Sequence, residues 1–521
     1  MWATDVSGAA GADAARVPGR VAGQREGALA GAAVLNDGGN AVDAIVAAAL
    51  VASVVAVSSC GIGGYGGHLV VATPDGQNVA CIDFNSAAPA AARPDMYPLD
   101  AQGKVVGNVQ NVGWRSVGVP GTLAGLQLAL ERFGTRSFRD MVQPAIRYCR
   151  DGFPIGAGLV RAIRNSRKVI ELDPGARSVL LPGGEPPNEG DLVRNLPLGD
   201  LLTTLAERDS VNSFYRGDIA LRLAEAFGKH GGLVTQADLA AYEARVETPL
   251  RLEWGSATLH TAPLTAGGAS VFQALATLRE LGWEKLDPDA PRTHQARLEA
   301  LRLAWHDRLT LFGDPRHVRV PLGRLLSDDY AREAAARVQA AIRDGKPVAA
   351  ASDGRPASGT IHLSAVDREG RLASMTLTHG EGFGGRVAAG ELGLILGHGL
   401  SRFDPHPDSP NAPGPGKRPL NNMCPSVIVR DGRPLAALGA AGGRRIVNSV
   451  FETVLQLVAR RAPLAAALAA PRVHTEGDRK VVLDARTPQP VEDYLKSIGY
   501  ATTRGAMANV SAVEGMPAKP C

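Results

Sequence analysis

The chain has little cysteine and few aromatic residues for its length. Its five cysteines among 521 residues, Cys60, Cys81, Cys149, Cys424 and Cys521, are far apart and odd in number. No Cys-x-x-Cys pair exists, so the spacing supports neither a zinc site nor a disulfide framework. Aromatics make up 5% of the residues, and no basic block carries aromatics between its charges. The formal net charge is only +4 and the basic residues are dispersed, which argues against a nucleic-acid partner. Met1 to Ala15 is rich in Ala, Gly and Asp and lacks the basic and apolar regions of a signal peptide. A cytoplasmic protein is therefore expected; a periplasmic or secreted one would require a different start. The longest apolar run, Ala41 to Val57, is dominated by alanine and broken by Asp43. It is too short and too weakly apolar to span a bilayer, so a buried helix, and no membrane partner, is expected.

What is present is a composition of 45% hydrophobic and 21% charged residues, suited to a large soluble core, at a length that allows two to four domains. The first twenty residues read as a flexible lead. Gly27 to Val57 reads as two helices with a stop and restart at Asp37-Gly38-Gly39-Asn40. His68 to Thr73 and Val79 to Phe84 read as a hairpin around Pro74-Asp75-Gly76. Helical patterns dominate from Gly121 to about Lys346: Thr122 to Phe133, Phe138 to Arg150, Ile219 to His230, Gln236 to Tyr242, Ser270 to Leu281 and His294 to Leu311. Asp344 to Gly359 is polar, with Pro347, Gly354 and Pro356, and suits an exposed cleavage segment. Beyond it the pattern alternates. Ile361 to Asp367 pairs with Arg371 to Thr378, and Ser426 to Arg430 with Leu435 to Gly439. Arg445 to Arg461 reads as an amphipathic helix, Val481 to Asp484 as a strand and Val491 to Ile498 as a helix. Strands at both ends with helices between predict a layered α+β fold in which the N-terminal strands join the C-terminal sheet.

Two segments match G-x-G-x-x-G. Gly61 to Gly66 lies between a helix and a strand, the reverse of a dinucleotide fold, and Gly380 to Gly385 opens no helix. Both read as loops of close backbone approach, and no cofactor is expected. His362, His379, His398 and His406 lack metal-ligand spacing and read as structural or surface histidines, so no metal is expected. Cys424 has no partner histidine in the pattern and reads as a buried, inert thiol.

The informative pair is Gly359-Thr360 at the mouth of a strand and Gly439-Ala440-Ala441-Gly442-Gly443-Arg444 some eighty residues on. A threonine hydroxyl needs an adjacent base to act as a nucleophile, and one solution makes threonine the first residue of a chain, with its own α-amine as the base. That reading demands a cut between Gly359 and Thr360.

The chain resembles the γ-glutamyltranspeptidase family of N-terminal-nucleophile hydrolases over nearly its whole length. The likeness is carried by Asp37 to Ala44, Ile82 to Phe84, Pro89-Ala90, Asp95 to Tyr97, Gly118 to Thr122, Gly231 to Thr235, Asp238 to Tyr242, Gly313 to Pro315, Ala389 to Glu391, Pro415 to Leu420 and Gly442-Gly443, in the family's order. The resemblance implies a four-layer αββα sandwich and autocatalytic cleavage before Thr360. The products would be a large subunit, 21–359 after the lead, and a small subunit, 360–521, held as a heterodimer. It implies Thr360 as nucleophile, Gly442 and Gly443 amides as oxyanion donors and Thr376 as the second threonine that bonds the nucleophile. The substrate would be a small amide or peptide, and the acceptor water or an amine.

The head-group positions depart from the family. The asparagine gripping the α-amine aligns with Thr378, its glutamine or glutamate companion with Gly399, and the aspartate pairing the ammonium with Arg402. The serine pair for the α-carboxylate is Asn421-Asn422, and the carboxylate-binding arginine aligns beside Arg93. The expectation is a γ-glutamyltransferase-like enzyme with altered head-group specificity. The alternatives are a cephalosporin-acylase-like or oxamate-amidohydrolase-like enzyme of the same fold, or a homologue that never processes.

Overall fold

Asn40 starts a helix in which every residue is buried. Its Oδ1 accepts from the Val42 and Asp43 amides at 2.8 and 3.0 Å, and the Asp43 carboxylate returns a bond to the Asn40 amide at 2.9 Å. Asp43 also accepts from the amide and hydroxyl of Thr135 at 2.8 and 2.6 Å, so this buried carboxylate is satisfied. The helix (α2, Ala41–Val55) pairs with α1 (Arg25–Asn36), as the stop-and-restart signal predicts. The structure is a computed structural model and describes residues 18–348, 350 and 359–516. Most of the proposed lead, much of the cleavage segment before Gly359, and Cys521 lie outside the described residues. Gly19 and Arg20, read as lead, already belong to a strand.

Among the described residues, eleven strands build two stacked antiparallel sheets. They are β1 (Gly19–Ala22), β2 (Gly66–Ala72), β3 (Val79–Asp83), β4 (Arg245–Glu247), β5 (Leu250–Trp254), β6 (Ala257–Thr261), β7 (Ile361–Asp367), β8 (Leu372–Thr378), β9 (Ser426–Arg430), β10 (Arg433–Ala441) and β11 (Asn509–Glu514). The first sheet runs β1-β7-β8-β2-β3-β4 and the second β11-β10-β9-β6-β5. Both mix strands from before and after Thr360, as the α+β reading expects. Helices α1 and α2, with α3 (Thr122–Phe133) and α4 (Phe138–Arg150), cover the first sheet around one apolar core. Helices α5 (Gly268–Glu280), α6 (Pro291–Leu311), α7 (Asp328–Asp344) and α8 (Arg445–Ala459) cover the second around another. The result is the four-layer αββα sandwich.

The period-2 pattern of β7 and β8 decides which side chains face the other sheet. Leu363, Ala365, Ala373 and Met375 enter the helix-side core. Val366 and Leu372 enter the inter-sheet core with Val70, Val427 and Ala437. The same parity turns Thr360, His362, Ser364, Ser374, Thr376 and Thr378 toward the second sheet. Ser374 Oγ donates across the gap to Leu438 O at 2.8 Å. Thr360, the residue immediately before β7, thus aims its side chain between the sheets.

The expectation that helical patterns dominate from Gly121 to about Lys346 misses β4, β5 and β6. Leu250-Arg251-Leu252-Glu253-Trp254 does alternate, but each strand is short and is recruited by pairing partners far along the chain, β3 and β9. The helices Ala157–Ile170, Leu196–Arg208 and Asp328–Asp344 also went unread. Among the described residues no helix is long and apolar enough to cross a membrane.

Candidate active site

Thr360 stands at the entry of β7, directly after a glycine that only a glycine can replace without strain. Gly359 has φ +88°, and a Cβ there would lie 2.9 Å from the backbone carbon of Glu381. Thr360 Oγ1 donates to Gly359 O at 2.5 Å. The Thr378 hydroxyl donates to the same oxygen at 2.6 Å, lies 3.2 Å from Thr360 Oγ1 and accepts from the Gly380 amide at 2.8 Å. The carbonyl of the Gly359–Thr360 bond is therefore held by two hydroxyls from the inter-sheet side.

Thr376, expected as the second threonine, is not the residue beside Thr360. The β7–β8 register pairs Thr376 with His362, and continuing it brings Thr378 opposite Thr360. Thr376 Oγ1 instead bonds His362 Nδ1 at 2.8 Å, and His362 Nε2 bonds Ser364 Oγ at 3.0 Å. Burial pushes the His362 pKa down to about 3, so the ring is neutral. Both threonines share one face two residues apart, so the alternating pattern could not choose between them; only register does.

A narrow cleft, with a free volume of only about 20 Å³, opens at Thr360. Its lining brings together Thr360, Thr378, Arg402, Asn421, Asn422 and Gly443 with Tyr65, Gly380, Met423 and Ile446. Gly442 and Gly443 form the turn (φ +147° and +63°) that leads from β10 into α8, with Gly443 O accepting from the Ile446 amide at 3.2 Å. Gly443 lines the cleft, whereas a Cβ on Gly442 would meet Ala508. Arg93 does not join this group. It sits on an exposed turn closed by Met96 N on Arg93 O and pairs with Asp95 at 3.6 Å, because the chain between Pro89 and Met96 bends outward. Tyr65, Gly380 and Ile446 went unrecognised. Tyr65 and Gly380 lie within the two glycine-rich segments, which is the one signal that pointed to them.

Arg402 is the cation of the cleft. It lies in the loop after β8, half-buried, with Nη2 3.8 Å from Glu381 Oε1 and 3.4 Å from His398 Nε2. Burial lowers its pKa, and Glu381 works against that shift. His398 Nδ1 faces Asn111 O at 3.0 Å, so Nδ1 carries the hydrogen and Nε2 accepts from Arg402. Burial and then Arg402 hold His398 well below its ordinary pKa. His379 is pushed to about 3 by burial, and His406 is exposed beside Asp404 at 2.7 Å. Burial raises the Cys424 thiol pKa.

A threonine at a strand start, a neighbouring hydroxyl and a glycine turn facing it across two sheets define a site of the N-terminal-nucleophile hydrolase type. The gamma-glutamyltranspeptidase family profile matches residues 27–519. The chain belongs to the γ-glutamyltranspeptidase family and is an enzyme. It is 31% identical over 503 residues to a glutathione hydrolase proenzyme of Bacillus subtilis (strain 168), covering 93% of this chain and 85% of that protein. It is 33% identical over 482 residues to the Acylase ACY 1 proenzyme of Pseudomonas sp. (strain V22), covering 91% and 85%. In fold it is similar to the crystal structure of a cephalosporin acylase from Bacillus halodurans, with a TM-score of 0.84 at 24% identity over 98% of this chain and 97% of that one.

Proposed function

We propose that the chain is a precursor that cuts itself between Gly359 and Thr360 and then works as a γ-glutamyltransferase-like amidohydrolase or acylase. The observation that carries this is the pair of hydroxyls, Thr360 and Thr378, on the Gly359 carbonyl oxygen at 2.5 and 2.6 Å. In the first reaction Thr360 Oγ attacks the Gly359 carbonyl carbon while Thr378 polarises the oxygen. The C–N bond breaks, its nitrogen takes the hydroxyl proton, and an ester links Gly359 to Thr360. Water hydrolyses the ester and leaves a Gly359 carboxylate and a free Thr360 α-amine. The fragments, of 359 and 162 residues, remain one heterodimer because β7 pairs with β1, β8 with β2 and β9 with β6.

In the second reaction the α-amine takes the proton from Oγ, which attacks the substrate amide carbonyl. A typical α-amine pKa of about 7.7–8.0 suits that exchange near neutral pH. The amides of Gly442 and Gly443 receive the oxyanion, an effect of about 3 kcal/mol per donor in comparable sites. The leaving amine departs with the proton, and water or an acceptor amine takes the acyl group.

The head group differs from that of a γ-glutamyl amide. Arg402 occupies the position of the family's ammonium-binding aspartate, and an ammonium beside it is repelled. The two-residue correction from Thr376 to Thr378 also moves the amine-gripping position from Thr378 to Gly380, which has no side chain. The substrate is therefore an acyl amide without a free α-amine or with an added anion, such as a glutaryl amide or an N-substituted γ-glutamyl amide. The acylase relative is in keeping with this second, acylase-like form of the reading.

Intact mass of the purified protein beside Thr360→Ala tests the first step: two fragments split before Thr360 in the wild type only. A single uncut chain in both overturns the threonine mechanism. A p-nitroanilide panel of glutaryl, oxamyl and γ-glutamyl groups tests the second. Family-normal turnover of γ-glutamyl-p-nitroanilide overturns the altered head group.

A further inference from the structure

The two asparagines at the cleft are not equivalent donors. The Asn421 amide is engaged at both ends: Oδ1 accepts from the Met423 amide at 3.1 Å, and Nδ2 donates to His68 Nε2 at 3.0 Å and lies 3.4 Å from Thr265 Oγ1. His68 is itself fixed. Burial holds its pKa below the ordinary value, its Nδ1 lies 3.5 Å from Asp83 Oδ1, and Asp83 pairs with Arg418 at 2.6 Å. Both amide hydrogens of Asn421 have partners in the protein, so this residue has no donor left for a ligand.

Asn422 is different. It is half-buried and lines the cleft, and its Oδ1 lies 3.5 Å from Nη2 of Arg308. Arg308 comes from the last turn of α6 and is buried. Its guanidinium also donates to Asn421 O and to Ala266 O and stands 5.9 Å from the Trp305 ring centroid. A guanidinium has donors and no acceptor, so it tolerates only the oxygen end of the Asn422 amide. The Nδ2 end then faces away from Arg308.

We propose that Arg308 is a positioning residue: it holds the Asn422 carbonyl oxygen and thereby turns Asn422 Nδ2 into the cleft, where this one neutral donor reads the far end of the acyl group. The inference rests on the function proposed above and narrows it. The acyl group ends in a carboxylate, bound between Asn422 Nδ2 and the Arg402 guanidinium, while Asn421 is a scaffold residue that holds the loop through His68. A carboxylate is an acceptor only and suits that pair of donors.

The test is a double-mutant cycle on the processed enzyme, with glutarate as the probe and calorimetry as the readout, so that it does not depend on turnover. Arg308→Met and Asn422→Ala are each expected to weaken glutarate binding about tenfold or more. The double variant should bind no more weakly than Asn422→Ala alone, because one residue acts through the other. Arg308→Lys, which keeps a donor, should recover most of the loss, and KM for glutaryl-p-nitroanilide should follow binding while kcat stays within about twofold. Asn422→Asp, which offers the cleft only an acceptor, should bind worse than Asn422→Ala, and it provides the answer if Arg308→Met does not fold. Losses that multiply in the double variant, unchanged binding in Arg308→Met, or no glutarate binding by the wild type each overturn the proposal. Mass spectrometry of the same samples keeps the two ideas apart. An unsplit wild type counts against the nucleophile, whereas a split enzyme with an additive cycle counts against Arg308 alone.

Discussion

The hydroxyls of Thr360 and Thr378 lie 3.2 Å apart, and both reach the carbonyl oxygen of Gly359. Thr378 is in turn fixed by the Gly380 amide at 2.8 Å, so its hydrogen is directed at that oxygen. Removing it withdraws a donor from the carbonyl that must accept negative charge during self-cleavage. Thr378→Ala is expected to slow fragment formation about ten- to a hundredfold, the usual range for one hydrogen bond to a developing charge, and Thr378→Ser to restore most of it. A time course of fragment appearance in denaturing gels checks this. Thr376→Ala is the control: it should leave cleavage within a few-fold of the wild type, since Thr376 is bonded to His362. A larger effect at Thr376 than at Thr378 would contradict the register argument.

Gly359 supplies the geometry on the other side of the bond. At φ +88° an alanine costs roughly 1–2 kcal/mol, and its Cβ would come within 2.9–3.1 Å of the Glu381 backbone. The Glu381 backbone is part of the Gly380–Gly385 loop and cannot swing aside as a side chain would. Gly359→Ala should therefore rotate the carbonyl away from the two hydroxyls and delay cleavage by at least about tenfold, given that barriers respond tenfold per 1.4 kcal/mol. Thermal stability of the uncut chain should fall by only a few degrees. Cleavage at the wild-type rate would show that the junction adapts to an added methyl.

The parts of this arrangement that were legible in the sequence are those governed by local pattern. Alternation in Ile361 to Asp367 and in the strand ending at Thr378 identified a strand pair, and Asp37-Gly38-Gly39-Asn40 marked the stop of α1 and the restart at α2. The glycine turn before Arg445 announced itself through its two consecutive glycines. What escaped was whatever depends on register or distant partners. Thr376 and Thr378 are indistinguishable by parity, and only the register, a difference of two residues, decides between them. Arg93 lies near an expected position in sequence, yet the outward turn at Met96 carries it to solvent. The strands Leu250–Trp254 and Ala257–Thr261 exist because Ser426–Arg430 pairs with the second of them, a contact that no window of local sequence contains.

His362 lies beneath the nucleophile with its ring between Thr376 and Ser364 and against Gly439. Burial lowers its folded-state pKa from the ordinary 6.5 to about 3. The sign follows from proton uptake: between those values the unfolded chain binds a proton that the folded one refuses. The stability is thus fully present above pH 6.5 and is lost progressively as pH falls toward 3, by roughly 1 kcal/mol per pH unit for this residue. His379 adds a shift of the same direction and cause. Urea unfolding of the wild type between pH 7 and 4.5 should show falling stability, and His362→Gln, although less stable at pH 7, should show a shallower slope. Equal slopes in the two proteins would mean that carboxylates alone set the acid limit.

Arg444 follows Gly443 directly, so whatever holds its guanidinium also holds the glycine turn. Nη1 lies 3.0 Å from Glu476 Oε2, the other Glu476 oxygen lies 3.1 Å from His474 Nε2, and the guanidinium stands 5.6 Å from the Trp305 ring centroid. Trp305 is tied in turn to Asn448 of α8 at 2.9 Å. Burial works to raise the Glu476 pKa, but the bonds from His474 and Arg444 outweigh it and hold the carboxyl below its ordinary value. A depressed carboxylate pKa keeps the clamp charged at every pH above that ordinary value and releases it only as pH falls through the lowered one. If the Gly442–Gly443 amides stabilise the oxyanion, loosening the turn weakens an interaction made in the transition state and not in the bound ground state. Glu476→Ala is therefore expected to lower kcat about tenfold on a turned-over p-nitroanilide with KM unchanged, and Glu476→Gln, which keeps one hydrogen bond, to lower it less. A rise in KM at constant kcat would instead assign the Arg444 segment to substrate binding.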